Sequence, residues 1–344
     1  MIASSERGKA AAAHAHGGLP PWRAVVAGPA VAAVTLVAAL ILTRVAGVPL
    51  RDPSGVSVQR FQSAAALVAV LVALDIAFRG GRARWTPARV LAVTGALVSF
   101  YVTYLAYRNL KSVVPLLRPD ELFDSGLADL DRTLFAGSDP ADLLHSVLGA
   151  GISAHVLSAV YEAFFLFVPV ALAFALVVLA DLRAGLFFTT ALALNWLLAA
   201  ASYFVLPSLG PVYFEPATFV HLSHTGVTDL QNALLDARIA FVVDPSAPGA
   251  AQSIGAFASL HVSIFFTAAL ATNLLGLGRY VKIGVWLLFA LTVTATIYFG
   301  WHYVMDDLAG LAIAVTALAL ARAITGIDPR TARQRLPAPS PAPT

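Results

Sequence analysis

Residues 184–206 read AGLFFTTALALNWLLAAASYFVL and carry no charged side chain. About 20 mostly apolar residues suffice for one helix to cross the hydrocarbon core of a bilayer. The rest of the chain is similar, since 59% of its 344 residues are hydrophobic, 12% are charged, and the mean hydropathy is +0.79. In soluble domains about a quarter of the residues are charged. The composition therefore predicts an all-α, polytopic transmembrane helical bundle.

Apolar runs of this kind recur along the chain, and we interpret eight of them as membrane spans. They lie near 24–47, 62–79, 88–108, 156–180, 184–206, 255–275, 280–299 and 303–323. We divide the chain into two additional helices at 23–87 and a six-helix catalytic domain at 88–325. Residues 1–22 and 326–344 are expected to be disordered tails, the second one basic and rich in proline.

Two long connections separate these runs. Residues 109–155 alternate acidic side chains with leucines, a pattern that predicts short amphipathic helices at the membrane surface. Residues 207–254 are rich in Pro, Gly, Ser and Asp, and a structured loop is expected there.

The basic residues predict the orientation of the bundle. Arginines crowd the second connection, and Arg183, Arg279 and Lys282 lie in the short turns after the fourth and sixth runs. Positive residues favour the cytoplasmic side of a membrane. With eight spans, both termini are then cytoplasmic, and the two long connections and the 299–303 turn face outwards. We expect a multi-pass protein of the plasma membrane with an extracytoplasmic site.

Composition also excludes several kinds of chemistry. The chain has no cysteine, so it has no disulfide, thiol nucleophile or zinc–thiolate site. The net charge is only +3, which argues against nucleic acid as a partner. We predict no cofactor, and the oligomeric state is left open.

Two polar strings at the predicted outer ends of spans carry the candidate chemistry. One is Ala258-Ser259-Leu260-His261, and the other runs from Gly300 through Trp301-His302-Tyr303-Val304-Met305 to Asp306. The four-residue spacing of His302 and Asp306 puts both on one helical face. A carboxylate there can orient an imidazole and raise its basicity. Asp307 lies one position further round the helix and is the alternative partner.

A cationic cluster and two further polar residues share that face of the membrane. Arg108, Lys111 and Arg118 follow the third run and could bind a phosphate, since Arg and Lys both pair with phosphate oxygens. The alternative is a basic patch in contact with lipid headgroups. Glu162 and Tyr303 are candidates for contact with an acceptor hydroxyl or for the site entrance.

Together these motifs resemble the type 2 phosphatidic acid phosphatase superfamily. The order Lys-x6-Arg-Pro, Ser-x-His and His-x3-Asp is similar to its three signature motifs over roughly residues 100–325. Ser-Leu-His, His-Tyr-x-x-Asp and the Pro-rich stretch 207–211 look most like its inositol-phosphorylceramide-synthase branch. The resemblance implies a membrane lipid as substrate and, in that branch, transfer to or from a polar alcohol such as an inositol.

The resemblance also implies roles for the candidate residues. His302 would form a phosphohistidine, Asp306 would orient it, and His261 would protonate the leaving oxygen. Lys111, Arg118, Arg108 and Ser259 would stabilise the phosphoryl oxygens, and no metal would be required. The expected phosphate-binding groups are therefore Lys111, Arg118, Arg108 and Ser259.

This chain departs from the superfamily pattern in the second and third motifs. Ala258 and Leu260 stand where Pro and Gly are usual, and Ala295 and Thr296 stand where the third motif begins with Ser-Arg. One phosphate-binding arginine therefore has no counterpart, and Arg108 is its candidate substitute.

Three alternatives remain open on the sequence. The first is a plain phosphatase acting on phosphatidate, phosphatidylglycerophosphate or a polyprenyl pyrophosphate. The second is a transporter or anion-binding protein, which would form no phosphoenzyme. The third is a metal site built from His261, His302 and Asp306, which a chelator would inactivate.

Overall fold

The computed structural model describes residues 20–52, 55–78, 83–119 and 121–331. These residues form helices, turns and loops and contain no strand. The all-α prediction is confirmed. Most of the two predicted disordered tails, 1–19 and 332–344, lies outside the described residues.

The longer helices are labelled in chain order. They are α1 (Trp22–Val45), α2 (Val56–Phe78), α3 (Pro87–Leu117), α4 (Asp124–Leu134), α5 (Pro140–Leu148), α6 (Ile152–Ala173), α7 (Leu182–Val205), α8 (Gly226–Val243), α9 (Leu260–Leu274), α10 (Arg279–Tyr298) and α11 (Val304–Thr325). A π-helical turn, Phe174–Val178, extends α6. Short helical turns occupy Pro211–Phe214 and Pro216–Phe219.

Helix α7, which contains nearly all of the uncharged run 184–206, lies at the centre of the bundle. It packs against α1, α3, α9 and α11. Most of its side chains are buried, whereas α1, α2 and α10 expose much of their apolar surface. In a bilayer that surface meets lipid, so exposed apolar side chains are expected on the outer helices of a membrane bundle.

The eight apolar runs all become helices, and seven of these helices in the described residues are long and apolar enough to cross a membrane. The eighth, α9, has 15 residues, about 22 Å at 1.5 Å per residue. The predicted start of this span at residue 255 is wrong. Residues 251–258 are not helical, and Ser259 caps the helix by accepting a hydrogen bond from the Val262 N–H.

The non-helical segment before α9 is inside the protein rather than at its surface. Its main-chain N–H groups are satisfied there, at Ala256 by the Ser208 carbonyl (2.9 Å) and at Ala258 by the Ser202 hydroxyl (2.9 Å). Irregular backbone at membrane depth is tolerated when it is buried in protein or lines a cavity. This segment therefore carries the Ser-Leu-His string into the bundle.

Helix α3 ends at Leu117, nine residues after the predicted end at residue 108. Arg108 and Lys111 consequently lie on its last turns rather than beyond it. The predicted apolar run ended before Asn109 because the Asn109 side chain is polar. In the fold that amide donates to the Arg51 carbonyl and accepts from the Arg51 N–H, both at 2.8 Å, so the polar group is satisfied.

The long connections contain more helix than the sequence pattern indicated. The short amphipathic helices predicted within 109–155 are confirmed as α4 and α5. The 18-residue helix α8 in the second connection was not predicted. Its inward face includes Gln231, which donates to the Phe299 carbonyl at 2.8 Å, so its buried side does not form a continuous apolar stripe.

Candidate active site

A cavity of about 350 Å³ opens at the end of the bundle where α3 and α7 end and α9 and α11 begin. Tyrosine and tryptophan side chains form much of its wall. The charged and titratable side chains that line it are Arg60, Arg108, Lys111, His261 and His302. The fold therefore brings together residues from separate helices and turns, including both histidines of the polar strings.

His302 lies in the tight turn between α10 and α11. Gly300 has a φ of +65°, and a Cβ on this residue would lie 2.3 Å from the Phe219 ring, so this turn requires glycine. The Trp301 N–H donates to the Thr296 carbonyl at 2.9 Å and closes the turn. These constraints place His302, whose exposed fraction is 7%, against the cavity wall.

Asp306 lies beside His302, as the spacing predicted. Its Oδ2 is 3.4 Å from the His302 Nδ1, and the carboxylate is fully buried. The same Oδ2 accepts the Tyr303 N–H at 2.9 Å, which caps the start of α11. Its main-chain carbonyl accepts the Ser259 N–H at 3.0 Å and thereby joins the two polar strings.

Asp307 is also buried near the histidine. Its carboxylate accepts hydrogen bonds from the Thr296 hydroxyl at 3.1 Å and from the Ser259 hydroxyl. Thr296 stands where the superfamily pattern has its arginine. In this chain that position therefore donates a hydrogen bond to the Asp307 carboxylate instead of supplying a cation. Asp306 and Asp307 therefore both remain partners for His302, with Asp306 the one in direct contact.

Burial lowers the pKa of His302 to about 4. The negative charge of Asp307 and a hydrogen bond with the main chain of Ala256 oppose this effect, whereas Lys111 adds to it. Desolvation disfavours the charged imidazolium. The ring is consequently neutral near pH 7, which is the state a nucleophilic imidazole requires.

His261 and His302 both line the cavity, with ring centroids 6.4 Å apart. Its ring stacks on Tyr161, at 4.5 Å between centroids, and Tyr161 in turn stacks on Trp301 at 5.2 Å. Phe164 packs on it at 4.1 Å. Its Nε2 is buried without a hydrogen-bond partner within the described residues, so the aromatic stack holds the ring while this nitrogen remains available.

Two of the three predicted cations reach the cavity. The Lys111 Nζ lies 4.6 Å from the centre of the Tyr203 ring, a cation–π distance. Arg108 donates to Asp52 at 2.9 Å and to the Ser57 hydroxyl at 3.1 Å. Lys111 is therefore the less neutralised of the two.

Five predicted site residues do not line the cavity, namely Asp306, which contacts His302, and four others. Arg118 pairs with Glu121 and donates to the Phe204 carbonyl. Glu162 accepts the Ser158 hydroxyl at 2.9 Å, and Tyr303 donates to Asp124 at 3.1 Å. The Ser259 side chain bonds to Val262 and Asp307. Ser259 and Tyr303 thus position the two polar strings, while Arg118 and Glu162 have local partners.

Sequence reasoning missed Arg60, in the second turn of α2. Its guanidinium carbon lies 5.4 Å from the centre of the Tyr104 ring and 4.7 Å from that of Phe165. It forms no ion pair with any residue that the structure describes. The available signal was topological, since a cation at the predicted outer edge of the second run faces the same side as the two histidines.

A metal bound by His261, His302 and Asp306 is the alternative to a metal-free site. Over the described ranges, no group of three or more His, Cys, Asp or Glu side chains is arranged to hold a metal ion. Because the side chains of Lys111 and Arg60 line the cavity, a bound anion would have counter-charges there.

The fold and the site together define a polytopic helical membrane protein with a histidine pair in a cationic cavity. The chain belongs to the PAP2 superfamily, whose family model matches residues 125–320. No curated protein and no solved structure matches the chain. Membership supports a membrane enzyme of the phosphatase or phosphotransferase type. The match contains both histidines and Asp306, whereas Arg60, Arg108 and Lys111 precede it.

Proposed function

We propose that this protein transfers the phosphoryl group of a lipid-linked phosphate through a phosphohistidine at His302. The observation that carries the proposal is the pair of histidines, 6.4 Å apart between ring centroids, in the wall of one cavity that cationic side chains also line. A reacting atom in a productive complex lies about 3–3.5 Å from its attacking group. The gap therefore suits a phosphoryl group held between the two rings.

In the first step, a neutral His302 nitrogen attacks phosphorus, and the bond from phosphorus to the leaving oxygen breaks. A protonated His261 donates its proton to that oxygen, so that an alcohol or a phosphate departs in neutral or singly protonated form. The carboxylate of Asp306 stabilises the positive charge that develops on the His302 ring. Lys111 and Arg108 supply counter-charge to the non-bridging oxygens.

In the second step, water or an alcohol attacks the phosphohistidine and restores the neutral ring of His302. The neutral His261 takes the proton from the attacking hydroxyl and returns to its starting state. Water as the acceptor produces inorganic phosphate, whereas a polar alcohol such as an inositol produces a new phosphate ester. Transfer to an inositol rests on the resemblance of the string variants to the inositol-phosphorylceramide-synthase branch.

A membrane lipid is the proposed substrate because of where the cavity lies. It opens at one end of helices that are long enough to span a bilayer. A phosphate at headgroup depth can enter it while the attached chains stay in the hydrocarbon. The distribution of basic residues supports an extracytoplasmic position for this end.

The test uses purified protein in lipid nanodiscs with phosphatidate labelled on phosphorus, with and without inositol. The expected result is free phosphate or a new inositol phosphate ester, and an acid-labile, base-stable phosphoenzyme after rapid quenching. His302→Ala should abolish both turnover and labelling. The matched control is His224→Ala, since this exposed histidine lies outside the cavity.

Each alternative has a distinct outcome in the same assay. Free phosphate without an ester identifies a phosphatase, and an ester identifies a transferase. Loss of turnover with a chelator would overturn the metal-free mechanism in favour of a metal site. Full turnover by the His302→Ala variant would exclude the phosphohistidine, and transport of phosphate across the membrane of vesicles of the same lipids without turnover would indicate a transporter.

A further inference from the structure

A second, mostly apolar cavity of about 200 Å³ lies between α2, α3 and α6. Its apolar lining includes Phe61, Ala64, Leu97, Phe100, Val168 and Leu172. None of these six residues lines the cavity that contains the histidines. A concave apolar site of this kind is where the apolar part of a ligand binds.

The two cavities are adjacent, because five residues line both of them. They are Arg60, Tyr104, Phe164, Phe165 and Trp196. Arg60 is the cation in this set, and its guanidinium lies over the rings of Tyr104 and Phe165. The shared wall thus has a positive charge and aromatic faces between a polar chamber and an apolar one.

We propose that the apolar cavity holds an acyl chain of the substrate lipid, and that Arg60 binds the headgroup where the two cavities join. A lipid phosphate has the matching arrangement, with an anion at one end and hydrocarbon at the other. Helix α2, which supplies Arg60, Phe61 and Ala64, precedes the part of the chain that matches the PAP2 model. Helix α2 therefore contributes to substrate selection.

This inference rests on the proposed function, because the acyl chain is that of the lipid whose phosphate reaches His302. The arrangement also explains a departure from the family pattern. Thr296 occupies the position of a phosphate-binding arginine, and its hydroxyl bonds to Asp307. Arg60 provides a cation from another helix, free of a carboxylate partner among the residues described.

Ala64 offers a matched pair of variants for the test. It is buried on α2 against the apolar cavity, and Ala66, two residues further along the same helix, is exposed and lines neither cavity. Ala64→Phe should fill the cavity, while Ala66→Phe adds the same ring towards lipid. Excluding even two methylene groups corresponds to about tenfold weaker binding.

The first readout compares a long-chain phosphatidate with a water-soluble short-chain phosphate monoester. Ala64→Phe should raise KM for the long-chain lipid about tenfold and leave the short-chain kcat/KM unchanged. Ala66→Phe should change neither value. Equal effects of both variants, or a parallel loss on the short-chain substrate, would overturn the inference.

The second readout does not depend on turnover. In a His302→Ala background, phosphatidate with a diazirine on its acyl chain should crosslink to α2, α3 and α6 residues of the apolar cavity on irradiation. The crosslinks should be lost with Ala64→Phe and reduced with Arg60→Gln, but retained with Ala66→Phe and with Arg44→Gln at the end of α1. Equal crosslinking by a phosphatidylcholine probe would show a general lipid contact and overturn the inference.

Failure of the two proposals is distinguishable. If the unmodified protein turns over neither phosphatidate nor the short-chain substrate, the proposed function fails, and the crosslinking still reports whether a phosphatidate chain occupies the cavity. If short-chain turnover depends on His302 but crosslinks avoid the cavity, the catalytic proposal survives and the acyl-chain site does not.

Discussion

At the scale of single residues, the site depends on how two adjacent carboxylates divide their contacts. Asp306 lies 3.4 Å from His302 and caps the main chain of α11. Asp307 accepts hydroxyl groups from Thr296 and Ser259. Both are buried beside the His302 imidazole. The carboxylate whose substitution lowers kcat more is therefore the one that orients His302.

We expect Asp306→Asn to lower kcat by a factor on the order of 10³, because an amide cannot stabilise the imidazolium-like transition state. Asp307→Asn should lower kcat only a few-fold, since its carboxylate mainly holds Thr296 and Ser259. Single-turnover measurement of phosphoenzyme formation compares the two, with thermal unfolding as the folding control. A larger loss for Asp307→Asn would assign the orienting role to Asp307.

The lowered pKa of His302, about 4 because of burial, sets an expected pH profile. Neutral imidazole is the nucleophile, so a pKa below the usual value of about 6.5 keeps the ring active as the pH falls below 7. Protonation of His302 should therefore not slow phosphoenzyme formation down to about pH 5 and should begin to do so only as the pH approaches 4.

Two substrates with different phosphate pKa values distinguish ionisation of the enzyme from ionisation of the substrate in this pH profile. An acid limb that moves with the substrate belongs to the phosphate, and one that stays fixed belongs to the enzyme. A fixed limb centred near the ordinary histidine pKa of about 6.5 would mean that His302 is solvated in the working protein, contrary to its 7% exposure.

At the scale of helices, the site depends on a close approach between α9 and α11. A Cβ on Gly310 would lie 2.5 Å from the Ser259 carbonyl oxygen, so the residue must be glycine for these helices to touch. This contact accompanies the hydrogen bond from the Ser259 N–H to the Asp306 carbonyl. One glycine therefore sets the distance between the two polar strings.

Gly310→Ala should destabilise the protein by about 1–3 kcal/mol, the usual cost of overpacking, and should reduce kcat by separating His261 from His302. Gly284→Ala on α10 is the matched control, because a Cβ there would meet no heavy atom of another segment within 4 Å. Alanine also favours helix over glycine by about 0.5–1 kcal/mol. Thermal unfolding in detergent compares the stability of the two variants, and turnover measurements compare their kcat values. A Gly310→Ala protein with unchanged stability and kcat would contradict the close contact.

At the scale of the whole molecule, the bundle has two chemically different ends. The cavity, the long connections and α4 lie at one end. At the other, Arg84 pairs with Asp75 at 3.4 Å and donates to the Val177 carbonyl at 2.9 Å. The basic turns at this second end predict that it is cytoplasmic.

The absence of cysteine from the sequence makes this orientation easy to measure. Ser246→Cys places a single thiol in the exposed loop before α9, and Tyr280→Cys places one at the start of α10, where 88% of the side chain is exposed. A membrane-impermeant maleimide should label Ser246→Cys in intact cells and Tyr280→Cys only after lysis. The reverse pattern would place the cavity on the cytoplasmic side.

The sequence by itself determined the fold class, the apolar helices and the placement of Asp306 beside His302. Apolar runs determine helices in a membrane because a lipid environment forces the backbone to satisfy its own hydrogen bonds. The four-residue spacing brought His302 into contact with Asp306 because His302 directly precedes the N-cap of α11 and Asp306 lies in its first turn. These are local properties, so the order of residues was enough.

The tertiary structure alone decided which distant residues share the cavity. It extended α3 to Leu117 through polar groups that are satisfied by other segments, and it directed Arg118 and Glu162 to local partners. It also brought Arg60 from α2 to the junction of two cavities. Such contacts depend on how helices pack, which the hydropathy of each separate helix does not specify.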